Sequence, residues 1–385
     1  MGTRRILVAH PVPGLYGADR MMLAAMRVLA AEGHDVTVVV PETGPLLPLI
    51  ERAGIGTRLL AFPVLRKGVL TPRALLWLAL GAPWHVARLW LVIKRAKPDL
   101  VYVNTVTLPH WLVAARLAGV PVVCHVREAE HDMRPTLARL LLAPVRIATV
   151  VVANSAATAR WLANSQPILA DRVRVLYNGF SFEPAACADP PAERGRLVVV
   201  GRLSPRKGQD VALRAVARLV EAGRDVELHF VGDVFRGYEW YEAALVSAAR
   251  ELGLESRVFF DGFLADPTAS YRSAGILVVP SRTEPFGNVA VEGMALGRPV
   301  VATGVGGLTE IIDDGETGLL CPPADVGALA DAIARLLDDP ELADRLAMTG
   351  AARVRERFGS ARFATELQGV IGAALSSPDV AEVAE

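Results

Sequence analysis

The run LVVVGRLSPRKG, residues 197–208, decides how the rest of the chain is read. Four consecutive apolar residues without polar alternation fit a strand covered on both faces. Gly201 ends that strand, and a helical pattern opens near Gln209. Strand, glycine turn and helix together form the repeating unit of a doubly wound α/β sheet. On the turn, Arg202 offers a planar fork and Lys207 a point charge, two ways to meet a phosphate. Gly201 and Gly208 let backbone come close to a ligand. A solvated basic turn would look the same in isolation, so the reading depends on what surrounds it.

Outward from this turn, short apolar runs alternate with helix-length stretches in both directions. Downstream runs lie at 227–231, 258–260, 276–279 and 299–302, with a last helical pattern over 325–368. Upstream runs lie at 5–9, 35–40, 100–104, 120–126, 149–153 and 172–176, with helices such as 20–32 and 110–118 between them. A chain of 385 residues exceeds what one core usually organises. The pattern predicts two Rossmann-like doubly wound α/β domains, 1–183 and 196–358. A linker over 184–195, rich in proline and without periodicity, joins them. A helix over 359–375 is expected to cross back to the first domain, and 376–385 reads as a tail.

Composition supports packed cores: 52% of residues are apolar and 21% charged. Formal net charge is zero, yet residues 1–190 carry +9 and the remainder −9, so the halves face different partners. Cys124, Cys187 and Cys321 are scattered and form no CxxC pattern, which suits free thiols in a reducing compartment. The apolar run at 6–9 is too short for a signal-peptide core. No run approaches the roughly 18 residues that span a bilayer. A cytoplasmic protein is expected, possible contact with a membrane face included, and nothing points to nucleic acid.

The second informative stretch is PSRTEPFGNVAVE, residues 280–292, which follows the apolar run at 276–279. Pro285 and Gly287 shape a loop, and a helix is expected from Asn288, whose side chain would cap it. Such a helix start presents unpaired N–H groups and positive dipole, which suits a pyrophosphate. Glu284 in the loop and Glu292 on the helix can accept hydroxyl hydrogen bonds, as ribose and sugar require. Paired glutamates on a solvated face are the plain alternative.

Together these stretches resemble the GT-B glycosyltransferases, specifically glycosyltransferase family 4, the retaining group-1 transferases. The family carries a G-R-x3–5-K-G phosphate motif and an E-x7-E motif, and residues 304–310 (GVGGLTE) and 314–318 (DGETG) match its usual turn after the last strands. The resemblance covers nearly the whole chain and implies two domains facing across a cleft. It implies that Arg202 and Lys207, beside Gly201, bind the donor pyrophosphate and stabilise the leaving nucleotide. It implies that Glu292 holds ribose and that Glu284, with the backbone of Phe286 and Gly287, holds the donor sugar. Asn288 and Val289 join that donor-binding set, and Phe263 and Leu264, in the turn at 260–264, would border the base. It implies no cofactor and no metal, in keeping with the lack of an Asp-x-Asp motif.

In the first domain the loop at 10–20 resembles the family's glycine-rich loop, with Gly14 and Gly17 beside the donor phosphates. It is not a GxGxxG, and the second apolar run ends at Val40 and Pro41 without a ribose-binding acid. Both facts count against a nicotinamide enzyme. His125 stands within CHVRE, residues 124–128, where relatives place a histidine facing the donor sugar. It is expected to contact donor or acceptor, although a histidine in an apolar strand is often only a satisfied core residue. His131 and Asp132 could mimic a metal pair, but nothing completes a set.

Residues 53–98 contain no Asp or Glu, eight Lys or Arg, and three of the six tryptophans. Pro83 is expected to split this segment into two helices. On the second, Val86, Leu89 and Ile93 form a core stripe, while Trp84, Arg88, Leu91 and Arg95 share another face. That mixture suits the headgroup boundary of an anionic membrane; a packed helix pair with solvated arginines is the competing reading. The function expected is a retaining, metal-independent glycosyltransferase using a nucleotide-sugar donor and a lipid-linked glycan or other acceptor. A soluble natural-product acceptor and a non-catalytic nucleotide-sugar-binding protein stay open. Epimerases of this architecture lack the Arg202, Lys207 and paired-glutamate set.

Overall fold

The computed structural model describes residues 2–65, 72–129, 133–182, 193–235 and 237–377, with backbone alone over 72–79. Most of the expected linker, Cys187, the pair His131 and Asp132, and the tail beyond 377 lie outside the described residues. The chain divides into two compact units, Met1–Phe180 with Ser360–Glu385, and Ser181–Gly359.

In the first unit the strands are β1 (Arg5–Ala9), β2 (Asp35–Val40), β3 (Gly56–Leu59), β4 (Leu100–Val103), β5 (Val122–Val126), β6 (Val150–Ala153) and β7 (Val173–Val175). They form one sheet in the order β3-β2-β1-β4-β5-β6-β7, with every pair parallel. Helices α1 (Gly17–Ala31), α2 (Leu47–Arg52), α3 (Pro72–Ala96), α4 (Pro109–Leu117), α5 (Pro135–Leu142) and α6 (Ala156–Ser165) connect them. Strand alternation sorts the core into two faces. Leu7, Val101, Val103, Val122 and Cys124 turn to one face with α3 and α4. Ile6, Val8, Tyr102 and Val123 turn to the other with α1. Each fully buried Val, Leu or Ile contributes roughly 1.5–3 kcal/mol.

In the second unit β8 (Arg196–Val200), β9 (Glu227–Val231), β10 (Val258–Gly262), β11 (Ile276–Val279), β12 (Val300–Thr303) and β13 (Leu319–Cys321) form a parallel sheet ordered β10-β9-β8-β11-β12-β13. Helices α7 (Gln209–Glu221), α8 (Glu239–Glu251), α9 (Thr268–Ser273), α10 (Asn288–Ala295), α11 (Leu308–Ile311), α12 (Val326–Asp338) and α13 (Pro340–Phe358) complete it. The last described helix, α14 (Ser360–Leu375), belongs to the first unit, as expected of a helix that crosses back. Its Phe363, Leu367, Val370 and Ile371 are buried in the α1 face of the first core. Phe363 lies where a Cβ on Gly179 would come within 2.3 Å, so only glycine leaves room there.

The fold departs from expectation in places. Pro83 does not divide its segment: α3 runs unbroken from Pro72 to Ala96. A proline inside a helix costs about 3 kcal/mol, and burial of Leu89, Val92 and Ile93 in the following turns offsets that. The long pattern at 325–368 is three helices, broken at Asp339, which caps α13 by accepting from the Leu342 N–H at 2.9 Å, and at extended Gly359. Strands β3 and β13 gave no signal, being short, one of them mostly exposed.

Candidate functional site

Both sheets reverse direction of growth at one point, between β1 and β4 and between β8 and β11. Ligands of open α/β sheets bind outside the carboxyl ends at such switch points. The two expected motifs of the second unit sit there, Gly201–Gly208 after β8 and Pro280–Gly287 after β11.

The first of these loops begins with Gly201 at φ +137°, and Gly232 packs so tightly behind it that a Cβ there would lie 2.1 Å from the Gly201 carbonyl oxygen. Arg202 stacks its guanidinium 4.6 Å from the Phe235 ring centroid. A short turn over Pro205–Lys207 then aims Lys207 at the second loop, where its Nζ meets Glu284 Oε2 at 2.5 Å. Glu284 also accepts from the buried Ser281 hydroxyl at 3.2 Å. Burial pushes the Glu284 carboxyl up, but the charges of Lys207 and Arg206 outweigh it and hold Glu284 below the usual carboxylate range. The pair is thus a buried, ionised cation and anion, each able to change partner for a charged or hydroxylated ligand.

Other side chains tie the two loops together, and none was singled out from the sequence. Arg282 clamps Asp210 with both Nη atoms, at 2.8 and 2.7 Å, and donates to the Pro205 carbonyl at 2.6 Å. Arg206 donates to the Thr283 carbonyl at 3.1 Å. Tyr241 donates to Asp210 at 2.9 Å. Burial raises the Asp210 carboxyl, and the hydrogen bonds from Arg282 and Tyr241 more than reverse that. Asp210 and Arg282 stand 72 residues apart, so periodicity could not pair them.

Helix α10 starts differently from expectation. Asn288 is its first residue, and the cap is Gly287 at φ +121°, which brings no side chain to the first-turn N–H groups. The left-handed turn of Gly287, which no β-carbon would favour, swings the chain directly into the helix. Phe286 is buried against Phe358, ring centroids 5.4 Å apart and edge to face, and a Cβ on Gly287 would strike Leu308 at 2.7 Å. Val289 is half-buried on the first turn. Glu292 accepts from the Tyr271 hydroxyl at 2.6 Å, a partner that fixes its carboxylate. Phe263 and Leu264 follow β10 and are exposed.

The remaining expected residues belong to the first unit. Gly14 lies against Asp19, whose Oδ2 a Cβ would approach to 2.7 Å, and Gly17 opens α1. Asp19 holds that loop by accepting from the Tyr16 N–H at 3.0 Å and pairing with His10 at 3.0 Å. His125 is wholly buried near the end of β5. On α3, Trp84 is 71% exposed and Leu91 45%, with Arg88 and Arg95 on the same open face. Val86, Leu89 and Ile93 turn inward as expected. Trp90 is half-buried and donates to the Leu117 carbonyl at 3.3 Å. Side chains of 72–79, Trp77 included, lie outside the described residues. Buried Cys124 and Cys321 are free thiols. Among the described residues no three His, Cys, Asp or Glu gather into a metal-ligand group, and no helix is long and apolar enough to cross a membrane.

Residues 194–339 match the family described as glycosyl transferases group 1, and residues 16–183 match glycosyltransferase family 4. A D-inositol 3-phosphate glycosyltransferase of Acidothermus cellulolyticus is 31% identical over 390 residues, 90% of this chain and 82% of that protein. The chain belongs to glycosyltransferase family 4. Another relative of the same description, from Thermomonospora curvata, is 37% identical over 54% of this family 4 chain. The chain spans about half the length of that relative, 53%. Among solved structures, Anabaena HepE in complex with UDP-glucose superposes with a TM-score of 0.82 and 26% identity, over 96% of this chain and all of that one. The family's two matches fall one on each compact unit of the fold.

Proposed function

We propose that this chain transfers a sugar from a nucleoside diphosphate sugar to a hydroxyl-bearing acceptor, with retention at the anomeric carbon. The observation that carries this is the buried Lys207–Glu284 pair, held by two interlocked loops at the carboxyl ends of β8 and β11. When donor binds, Lys207 turns from Glu284 to the pyrophosphate and Glu284 accepts hydroxyls of the sugar, so each charge keeps a partner. Arg202 joins Lys207 in neutralising the leaving diphosphate as the bond from the anomeric carbon to phosphate oxygen breaks. The acceptor oxygen forms its bond on the same face, and its proton passes to the departing phosphate. Glu292 holds ribose, Asn288 and Val289 bring first-turn N–H groups to the phosphates, and Phe263 and Leu264 border the base. Cationic side chains and helix dipole offset the charge developing on phosphate, so neither a metal nor a cofactor is required. The inositol 3-phosphate glycosyltransferase relatives favour a small phosphorylated polyol as acceptor, with a lipid-linked glycan as the second reading.

A thermal-shift series with UDP, GDP, TDP and ADP, each with and without its common sugars and with NAD as control, tests the donor class. The matching nucleotide at about 100 times its Kd adds roughly 2.7 kcal/mol of stability. Stabilisation by one diphosphate alone is expected; a response to NAD only, or to none, would overturn the reading.

The second acceptor reading has its own support in α3, where exposed Trp84 and Leu91 alternate with Arg88 and Arg95. Such a face fits an anionic lipid surface, each nearby Lys or Arg contributing about 1 kcal/mol. Flotation with phosphatidylglycerol vesicles is expected to carry the protein upward at low salt and to leave Trp84→Ala/Arg88→Ala behind. Equal flotation of both proteins would remove membrane attachment through this face.

A further inference from the structure

The first unit holds a buried polar cluster that the transfer chemistry above does not use. Tyr102 on β4 stands opposite Val123 on β5, and His125, two residues further along β5, turns to the same face of the sheet. The Tyr102 hydroxyl lies 2.5 Å from His125 Nδ1. Arg127, two residues beyond His125, brings Nη2 to 3.4 Å from the same nitrogen. Its Nε donates to Asn104 Oδ1 at 2.8 Å and its Nη1 to Asn178 Oδ1 at 2.7 Å.

A guanidinium has five donors and no acceptor. Arg127 Nη2 can therefore only donate to His125 Nδ1, which makes that nitrogen an acceptor and draws the Tyr102 hydroxyl proton to it. A proton on Nδ1 would face the Arg127 donor, so it is disfavoured there. The remaining proton of a neutral imidazole must be on Nε2, which is buried without a partner. An unpaired buried N–H is unfavourable, so the arrangement is one that a ligand oxygen would complete.

We propose that Tyr102 and Arg127 are positioning residues that fix His125 in its Nε2–H tautomer, so that His125 gives a hydrogen bond to a substrate oxygen and does not act as a base. The identity of that oxygen, on donor sugar or acceptor, rests on the sugar-transfer reading; the tautomer does not. Burial and then the Arg127 charge hold His125 far below its ordinary pKa, so the ring stays neutral. Burial pushes Tyr102 up to about 12, so its hydroxyl keeps the proton it donates.

Nitrogen-15 histidine labelling of the full chain, read by multiple-bond proton–nitrogen correlation at neutral pH, tests this directly. The signals of His125 are assigned by their loss in His125→Asn. A protonated Nε2 and an unprotonated Nδ1 are expected. In Tyr102→Phe a second population with the proton on Nδ1 is expected, together with turnover lower by about tenfold, the scale of one hydrogen bond, and unchanged nucleotide diphosphate affinity. A wild-type His125 protonated at Nδ1, or at both nitrogens, would overturn the assignment. So would a Tyr102→Phe variant with unaltered tautomer and turnover. The expected tautomer in a protein that no nucleotide stabilises would leave the proposal standing and remove the sugar-transfer reading.

Discussion

Lys207→Ala lowers sugar-transfer turnover about a hundredfold or more and destabilises the second unit by roughly 3–5 kcal/mol. The two losses have separate origins. Turnover falls because a preorganised cation no longer meets the charge that collects on the leaving diphosphate. Stability falls because Glu284, with its side chain only 10% exposed, loses its direct cationic partner and is left ionised with the Ser281 hydroxyl and the more distant Arg206 charge. Steady-state kinetics with the stabilising nucleotide sugar measures the first, and denaturant unfolding the second. Lys207→Ala combined with Glu284→Gln recovers most of the stability, because the uncompensated charge is gone, and none of the turnover. A single variant that turns over like the wild type would show that the pair is structural only.

Gly208→Ala removes nucleotide binding by a different route. Gly208 has φ +72°, and a Cβ there would lie 1.9 Å from the Pro280 carbonyl oxygen. Backbone, not a flexible side-chain tip, is in the way, so one loop must retreat from the other. That separates Lys207 from Glu284 and strains the Arg282 clamp on Asp210. The left-handed conformation alone costs an alanine about 1–2 kcal/mol, and the collision adds to it. Gly223→Ala is the control: φ is +79° there, yet nothing lies within 4 Å of the added carbon. It is expected to show the small loss and to keep the thermal shift with nucleotide. Equal behaviour of the two variants would mean that the loops need not touch.

The sheets were legible because parallel strands buried on both faces have one unambiguous signal, an unbroken apolar run such as 197–200 bounded by glycine. Edge strand β3 carries no such run: it reads GTRL and is largely exposed, so it was invisible. The two motif loops were legible because each follows an unbroken apolar run, β8 or β11, at the carboxyl ends of strands where open α/β sheets bind ligands. What holds them was not, since the Asp210–Arg282 clamp and the Tyr271–Glu292 bond join residues far apart in the chain through side chains of ordinary surface type. Pro83 misled because its local cost was read without the tertiary burial of Leu89, Val92 and Ile93 that outweighs it. Asn288 misled in a smaller way, since Gly287 needs no side chain to begin α10. Tyr102 gave no polar signal at all in the run LVYV, where it passes for one more apolar residue.

Helix α14 fills the α1 face of the first core with residues from the far end of the chain. During synthesis, the first unit therefore leaves the ribosome with a gap where Phe363, Leu367 and Ile371 will lie, and it keeps that gap open while the whole second unit is made. At about 5–20 residues per second, the wait covers the roughly 180 residues of the second unit, some 10–40 seconds. Over that interval the apolar surface that α14 later covers stays without its partner.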